Sequence, residues 1–527
     1  MEMRENHFWY GVLVFVLLTS LIINLNLTLT TPTVFGDEGF YMSRGEWISQ
    51  HLTIPKYYYI HIPSPKAYRP YFLRPPFYMF LLASIFPIGG ELLVKTLNPI
   101  ISMLVCLVAF FIGKRLYSVR VGVLGAFSLA LIPSFITYST LFYPEVFGTL
   151  LSLSSILFTY RGIRENRKLL ILLGGTMAGL GGITEVGSLA LPVLFFFIFL
   201  LYKRNWLKNF TLSLIAFLIM LTPVYGIHNY LMFGNPGLPI INRYFPSYDL
   251  LQKLPNYSVG KIVSPVEMGI GTGATIFNMG LLNYIQFAYG LVTFIFFSIG
   301  FSYLLLKRNK KNITVLLWLL VWGFILFYVT RSGRAEDAAR NMIYTTVPFG
   351  LMSGIGIERT YKFLKGYGKD AGKVIALLFI FIIVIFGIFS IHTKAESLRP
   401  VKQFSSAFFK GCDWIRRNTP EDSLMLTLWQ HRAEYACKRD TIYVSEPGGK
   451  DMVFLGNDTS YKIMKKMGVN YIYIQKFSIR PGKESESYPW IFVKYIRSSD
   501  HFKKVYEYPD NCMNTNEQDC VIVYKVL

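Results

Sequence analysis

The chain is poor in the residues that mark metal centres. It has 5 cysteines and 7 histidines in 527 residues, with no Cys-x-x-Cys pair and no paired histidine spacing to suggest a zinc module. Charged side chains make up only 16% of it, too few for an ordinary soluble protein, and acids are the scarcer sign, 31 against 53 Lys and Arg. No internal repeat or low-complexity tract is present, and no small-x-small cleavage site follows the first apolar run. The net charge of +22 is not gathered on one soluble face, so nucleic acid is not expected as a partner.

What the chain has instead is apolar length. Hydrophobic residues make up 53% of it and aromatics 17%. Runs near the roughly 20 residues that cross a bilayer fall at 8–30, 93–113, 121–139, 146–160, 169–184, 187–202, 210–227, 281–306, 313–330, 341–357 and 374–391. A twelfth, 76–90, is shorter and interrupted by Pro87 and Gly89-Gly90. The sequence therefore predicts a mainly α, multi-pass membrane protein of about 11 spans, with membrane lipids as partners.

Orientation follows from the loops. Those holding Arg4, Lys114 to Arg120, Arg161 to Lys168, Lys203 to Lys208, Lys307 to Lys311 and Arg359 to Lys373 contain about twenty basic residues against about five acidic. They alternate with the other loops, which predicts a cytoplasmic N-terminus, a plasma-membrane location and an extracytoplasmic segment after residue 392. The first span reads as retained, because cleavage after it would detach the anchor from the acidic pair that follows.

Three outer segments are long: 31–92, 228–280 and 393–527. The first two belong to a transmembrane domain, 1–392, and the third forms a separate α/β domain. In that domain Phe404–Asn418 and Tyr461–Met467 have helical spacing, while Leu424–Leu428, Tyr471–Ile474 and Val521–Val526 read as strands. Segment 228–280, with Gly234-Asn235-Pro236-Gly237 and Gly269 to Gly273, reads as an irregular lid or a disordered connector. Cys106 lies in a span as a packing residue, whereas Cys412, Cys437, Cys512 and Cys520 share the outer domain. Pairs Cys412–Cys437 and Cys512–Cys520 are favoured because both close compact loops.

Chemistry is expected at the end of the first span. Asp37-Glu38 follows the apolar run, and Tyr71-Phe72-Leu73-Arg74-Pro75-Pro76-Phe77 closes the same outer loop. Carboxylates at a membrane boundary are costly to desolvate and are kept mainly where they react or bind an ion.

These two elements resemble the first outer loop of the GT-C glycosyltransferases, in the branch holding lipid A aminoarabinose transferases and protein O-mannosyltransferases. That branch has a Lys-Pro-Pro-Leu-like element where this chain has Arg74-Pro75-Pro76-Phe77. Weaker likenesses are Tyr143-Pro144-Glu145 in the second outer loop, Arg340 to Pro348 at a late span, and Gly179 to Glu185. Glu185 replaces a lysine there and reads as a structural turn residue. The Trp-Trp-Asp-Tyr-Gly signature of oligosaccharyltransferases is lacking, which argues against en bloc glycan transfer. The resemblance implies a polyprenyl (dolichyl)-phosphate sugar as donor, used on the outer face with inversion at the anomeric carbon.

The residues then take roles. A hydroxyl on a lipid, protein or glycan acceptor is a poor nucleophile, and a carboxylate must accept its proton; Asp37 is the expected general base, unless it merely caps the following helix. Glu38 either orients the acceptor or pairs with Arg44 or another cation. Arg74 and Arg340, followed by Arg331 and Arg334, are expected on the donor phosphate. Glu145 either holds a divalent metal ion beside Asp37 or faces water at a span end. His51 and His61 have no matching ligand spacing. A transporter or flippase, or a non-catalytic subunit handling lipid-linked sugars, is the rival class, and would leave Asp37-Glu38 and Arg-Pro-Pro without purpose.

Overall fold

The computed structural model describes residues 2–30, 37–53, 56–58, 68–70, 75–202, 205–228, 230–231, 280–329, 339–340, 342–365, 385, 406–428, 430–443, 456–475, 490–512 and 520–527. Arg74, His61, Arg331 and Arg334 lie outside them, as do nearly all of 228–280 and of the expected span 374–391.

The first part is helical: α1 (Glu2–Thr30), α2 (Glu38–His51), a two-stranded ribbon β1 (Lys56–Tyr58) and β2 (Tyr68–Pro70), α3 (Phe77–Leu116), α4 (Val119–Ala130), α5 (Pro133–Thr140), α6 (Pro144–Glu165), α7 (Lys168–Gly182), α8 (Leu191–Tyr202) and α9 (Trp206–Leu221). After residue 280 come α10 (Leu281–Ala288), α11 (Leu291–Leu306), α12 (Lys310–Val329) and α13 (Thr346–Lys365). Among the described residues four helices are long and apolar enough to cross a membrane, or six if two bent pairs each count as one.

Local sequence explains the departures from straight spans. The run 121–139 is bent by 68° between α4 and α5, where Pro133 opens a new helix at its first position. The runs at 76–90 and 93–113 belong to one 40-residue element, α3, whose backbone leaves helical geometry at Gly89 and Gly90. With hydrocarbon outside, helix association rests on close packing and buried hydrogen bonds. A Cβ at Gly300 would lie 1.9 Å from Met352 O, and one at Gly356 2.0 Å from Phe296 O, so α11 and α13 approach backbone to backbone. Asn24 Nδ2 donates to Ser102 Oγ at 3.1 Å, tying α1 to α3.

The second part is an α/β unit: α14 (Ser406–Asn418), β3 (Leu424–Thr427), α15 (Gln430–Cys437), β4 (Asp440–Tyr443), α16 (Asp458–Met467), β5 (Val469–Gln475), α17 (Trp490–Ser498), β6 (Phe502–Tyr508) and β7 (Val521–Val526). The sheet order is β4-β3-β5-β7-β6, with β4, β3 and β5 parallel and β7 antiparallel to both neighbours. One face packs Phe408, Cys412 and Cys437 against Met425, Tyr473 and Val523; the other packs Met464 and Phe492 against Leu426, Ile472 and Ile522. Burial on both faces is why Tyr471–Ile474 is apolar without alternation. Cys412 is bonded to Cys437 and Cys512 to Cys520, while Cys106 is free and buried.

The two parts meet where α15 packs on α2. Helix α2 in turn lies close on α3, because an added Cβ at Gly45 would stand 2.7 Å from Leu82 Cβ.

Candidate active site

Asp37 opens α2. Its carbonyl accepts from Phe40 N–H at 3.0 Å and Tyr41 N–H at 3.3 Å, but its carboxylate makes no capping bond. The carboxylate turns away: Oδ2 accepts from Arg340 Nη1 at 2.5 Å. The Asp37 backbone N–H donates to the Tyr143 hydroxyl at 3.1 Å.

The second wall is the turn between α5 and α6, which buried polar groups fix from several sides. Thr28 Oγ1 donates to Thr140 O at 3.2 Å. Asn98 Nδ2 donates to Leu141 O and, at 3.1 Å, to Tyr143 O, while its Oδ1 accepts from the Tyr78 hydroxyl at 3.0 Å. Glu38 Oε1 accepts from Phe142 N–H at 2.9 Å. Glu38 thus joins the head of α2 to this turn, and Arg44 donates to Glu434 in α15.

Arg340, just ahead of α13, closes the site. Its Nε donates to Glu145 Oε1, its Nη1 to Asp37, and its Cζ stands 4.3 Å from the centre of the Tyr143 ring. One guanidinium thereby bridges two carboxylates, and its planar fork suits that task where a lysine would not. Exposure ranks the three side chains: Glu145 3%, Arg340 11% and Asp37 23%, so Asp37 is the more open of the two carboxylates. Glu145 Oε2 and Arg340 Nη2 are buried and find no hydrogen-bond partner among the described residues. Glu185 is also buried, with its Cβ 3.3 Å from the Cβ position of Gly148, one turn along α6 from Glu145, and close enough to repel that carboxylate.

Four of the expected site residues can be placed, and Asp37, Glu38, Glu145 and Arg340 come together. Arg74, Arg331 and Arg334 fall outside the described residues. His51 is exposed, stacked on Trp47 with ring centres 3.9 Å apart. Among the described residues no group of three or more His, Cys, Asp and Glu is placed to hold a metal ion. The pair expected to hold one, Asp37 and Glu145, is bridged by Arg340. Sequence reasoning missed Asn98 and Tyr143 as site builders; the available signal was an asparagine before Pro99 inside an apolar run.

Comparison with known proteins bears on the fold. The fold is that of the GT-C superfamily of membrane glycosyltransferases. Residues 73–227 match the family described as dolichyl-phosphate-mannose-protein mannosyltransferase. ArnT from Cupriavidus metallidurans, solved bound to undecaprenyl phosphate, is similar over 98% of both chains at 12% identity and TM-score 0.63. The Archaeoglobus fulgidus oligosaccharyltransferase, in the apo form, is similar over 89% of this chain and 70% of its own, at 14% identity and TM-score 0.61. Arabinofuranosyltransferase AftD from Mycobacteria is similar over 97% of this chain and 41% of its own, at 13% identity and TM-score 0.55. No curated protein sequence matches the chain.

Proposed function

We propose that this protein moves a single sugar from a polyprenyl-phosphate donor to an acceptor hydroxyl, inverting the anomeric carbon, with Asp37 as general base. The observation that carries this reading is the Arg340 bridge, which sets a base and a phosphate-binding cation on adjacent atoms. Asp37 accepts the acceptor proton as the hydroxyl oxygen bonds to C1. The bond from C1 to the phosphate oxygen breaks, and the lipid phosphate leaves with the electron pair. Arg340 receives that growing charge. In this reading Glu145 anchors the guanidinium, and Glu38 holds the turn that carries it. Arg74, Arg331 and Arg334 are assigned further contacts to the donor phosphate.

Support for the donor class comes from relatives: one solved structure holds undecaprenyl phosphate, and another, the archaeal oligosaccharyltransferase AglB, holds dolichol-phosphate with an inhibitory peptide. On the topology proposed, residues beyond 392 and the Asp37 site face outward. A divalent ion remains part of the proposal only as a substitute for Arg340 between Asp37 and Glu145. A transporter would use the broken helices, yet neither bent pair, α4 with α5 or α10 with α11, contains an acidic residue.

The test is transfer from dolichyl-phosphate mannose, and from other polyprenyl-phosphate sugars, to a threonine-containing peptide, with the anomeric configuration of the product read by NMR. Inverted product supports the reading. Retained configuration overturns it. Mass spectrometry of surface glycans and lipids after gene deletion identifies the natural acceptor.

A further inference from the structure

Two ion pairs join α2 to α15 and to the residue just past its end. Arg44 donates through Nη1 to Glu434 Oε1, with side chains 7% and 6% exposed, and Ser43 Oγ donates to the same oxygen at 3.5 Å. Further along α2, and one residue past the end of α15, Lys438 Nζ pairs with Glu46 Oε2 at a more open position. The contacts advance in the same sense, 434 with 43 and 44, then 438 with 46. Arg44 stands seven residues after Asp37, which at 3.6 residues per turn returns to the same face. The face of α2 that leads to Asp37 is therefore the face gripped by the α/β unit.

The grip is braced on its far side. Cys437, the last residue of α15, is bonded to Cys412 in α14, which packs on the sheet. Tyr435 is buried against Glu91 of α3, and both burial and that carboxylate push its hydroxyl pKa upward. A buried ion pair adds little net stability, because desolvation offsets the attraction; what it fixes well is registry. An apolar contact would dock α15 as firmly without setting where α2 sits along its axis.

We propose that the α/β unit is a positioning element for catalysis, in which Glu434, acting through Arg44, sets the axial position and rotation of α2 and so the place of the Asp37 carboxylate beside Arg340. This rests on the reading of Asp37 as base. It gives the C-terminal unit a task that needs no substrate contact of its own.

The experiment compares Glu434→Gln, the charge exchange Arg44→Glu with Glu434→Arg, and Glu46→Gln, all in the full-length protein. Single-turnover transfer from dolichyl-phosphate mannose to a threonine-containing peptide is measured beside hydrogen exchange of residues 38–51. Glu434→Gln is expected to slow transfer about 10- to 100-fold, the range for a misplaced catalytic group, with KM for the lipid donor nearly unchanged and faster exchange in α2. The charge exchange should recover most of the rate. Glu46→Gln, at the more open pair, should cost less than about threefold. Normal transfer by Glu434→Gln overturns the proposal, as does a folded charge exchange that stays as slow as the single variant. Asp37→Asn in the same assay separates the two readings: if it transfers normally the base assignment fails, while the exchange rates of α2 still report whether Glu434 holds that helix.

Discussion

Arg340 donates to Asp37 at 2.5 Å across 303 residues of chain, and the same guanidinium holds Glu145. The sequence places Asp37 on the acceptor and Arg340 on the donor, as if the two acted apart. Their contact joins the proposed base and the proposed phosphate-binding cation, so loss of either side chain should be felt at both.

Removing the guanidinium should therefore damage the fold as well as the chemistry. Arg340→Ala leaves Glu145 buried without its cation, a loss of about 3–5 kcal/mol for a broken buried pair. Arg340→Lys keeps the charge but cannot bridge two carboxylates, so it should melt between the other two proteins and retain only a small part of the turnover. Thermal melting in detergent checks the order. Equal melting of all three would mean that the bridge contributes nothing to the folded state.

Asn98 offers a test away from the reacting groups. Asn98→Leu keeps the branch at Cγ but strips hydrogen bonds from Leu141 O, Tyr143 O and the Tyr78 hydroxyl, all buried, at a cost of about 1–3 kcal/mol for each group left unpaired. The turn carrying Tyr143 and Glu145 should loosen and turnover should fall with stability. An unaltered melting point would show that the turn holds its shape without Asn98.

Chelation decides between guanidinium and metal at the two carboxylates. If Arg340 serves the leaving phosphate, EDTA treatment followed by desalting should leave turnover within about twofold, since fixed Arg donors stabilise that charge without an ion. Loss of turnover restored by added Mg²⁺ or Mn²⁺ would assign Asp37 and Glu145 to a metal instead.

Orientation is checked by tags. Those at Lys310 and Lys365 should be cytoplasmic and those at Asn256 and Gly482 outside, following the alternation of basic loops. A cytoplasmic Gly482 would place the α/β unit on the wrong side for a donor used on the outer face.

The acidic side of the site was legible because carboxylates at the end of an apolar run stand out, and Asp37, Glu38 and Glu145 all do. Arg340 was legible as a cation before a late span, but its two partners were not, since long-range pairing leaves no local pattern. Asn98 and Tyr143 look like ordinary members of apolar and aromatic stretches. The helix content followed from apolar length and the interruption at Gly89-Gly90 from its glycine pair, yet the bend at Pro133 within the run 121–139 was not read, because composition averages it away. Helix α15 is short, and its ion pair with α2 is made by Glu434, a single acid with no sequence neighbour to mark it.

The central claim is that Asp37 takes the proton from the acceptor, and single-turnover sugar transfer by Asp37→Asn in nanodiscs measures it most directly. The amide keeps the size of the side chain and a hydrogen-bonding oxygen near Arg340 but does not accept the proton, so the rate should fall about 10²–10⁴-fold. Because Arg340 touches both groups, donor affinity should shift too, and Glu38→Gln should be milder than Asp37→Asn. A folded Asp37→Asn protein that transfers sugar at a near-normal rate would contradict the account and pass the role of base to Glu38 or Glu145.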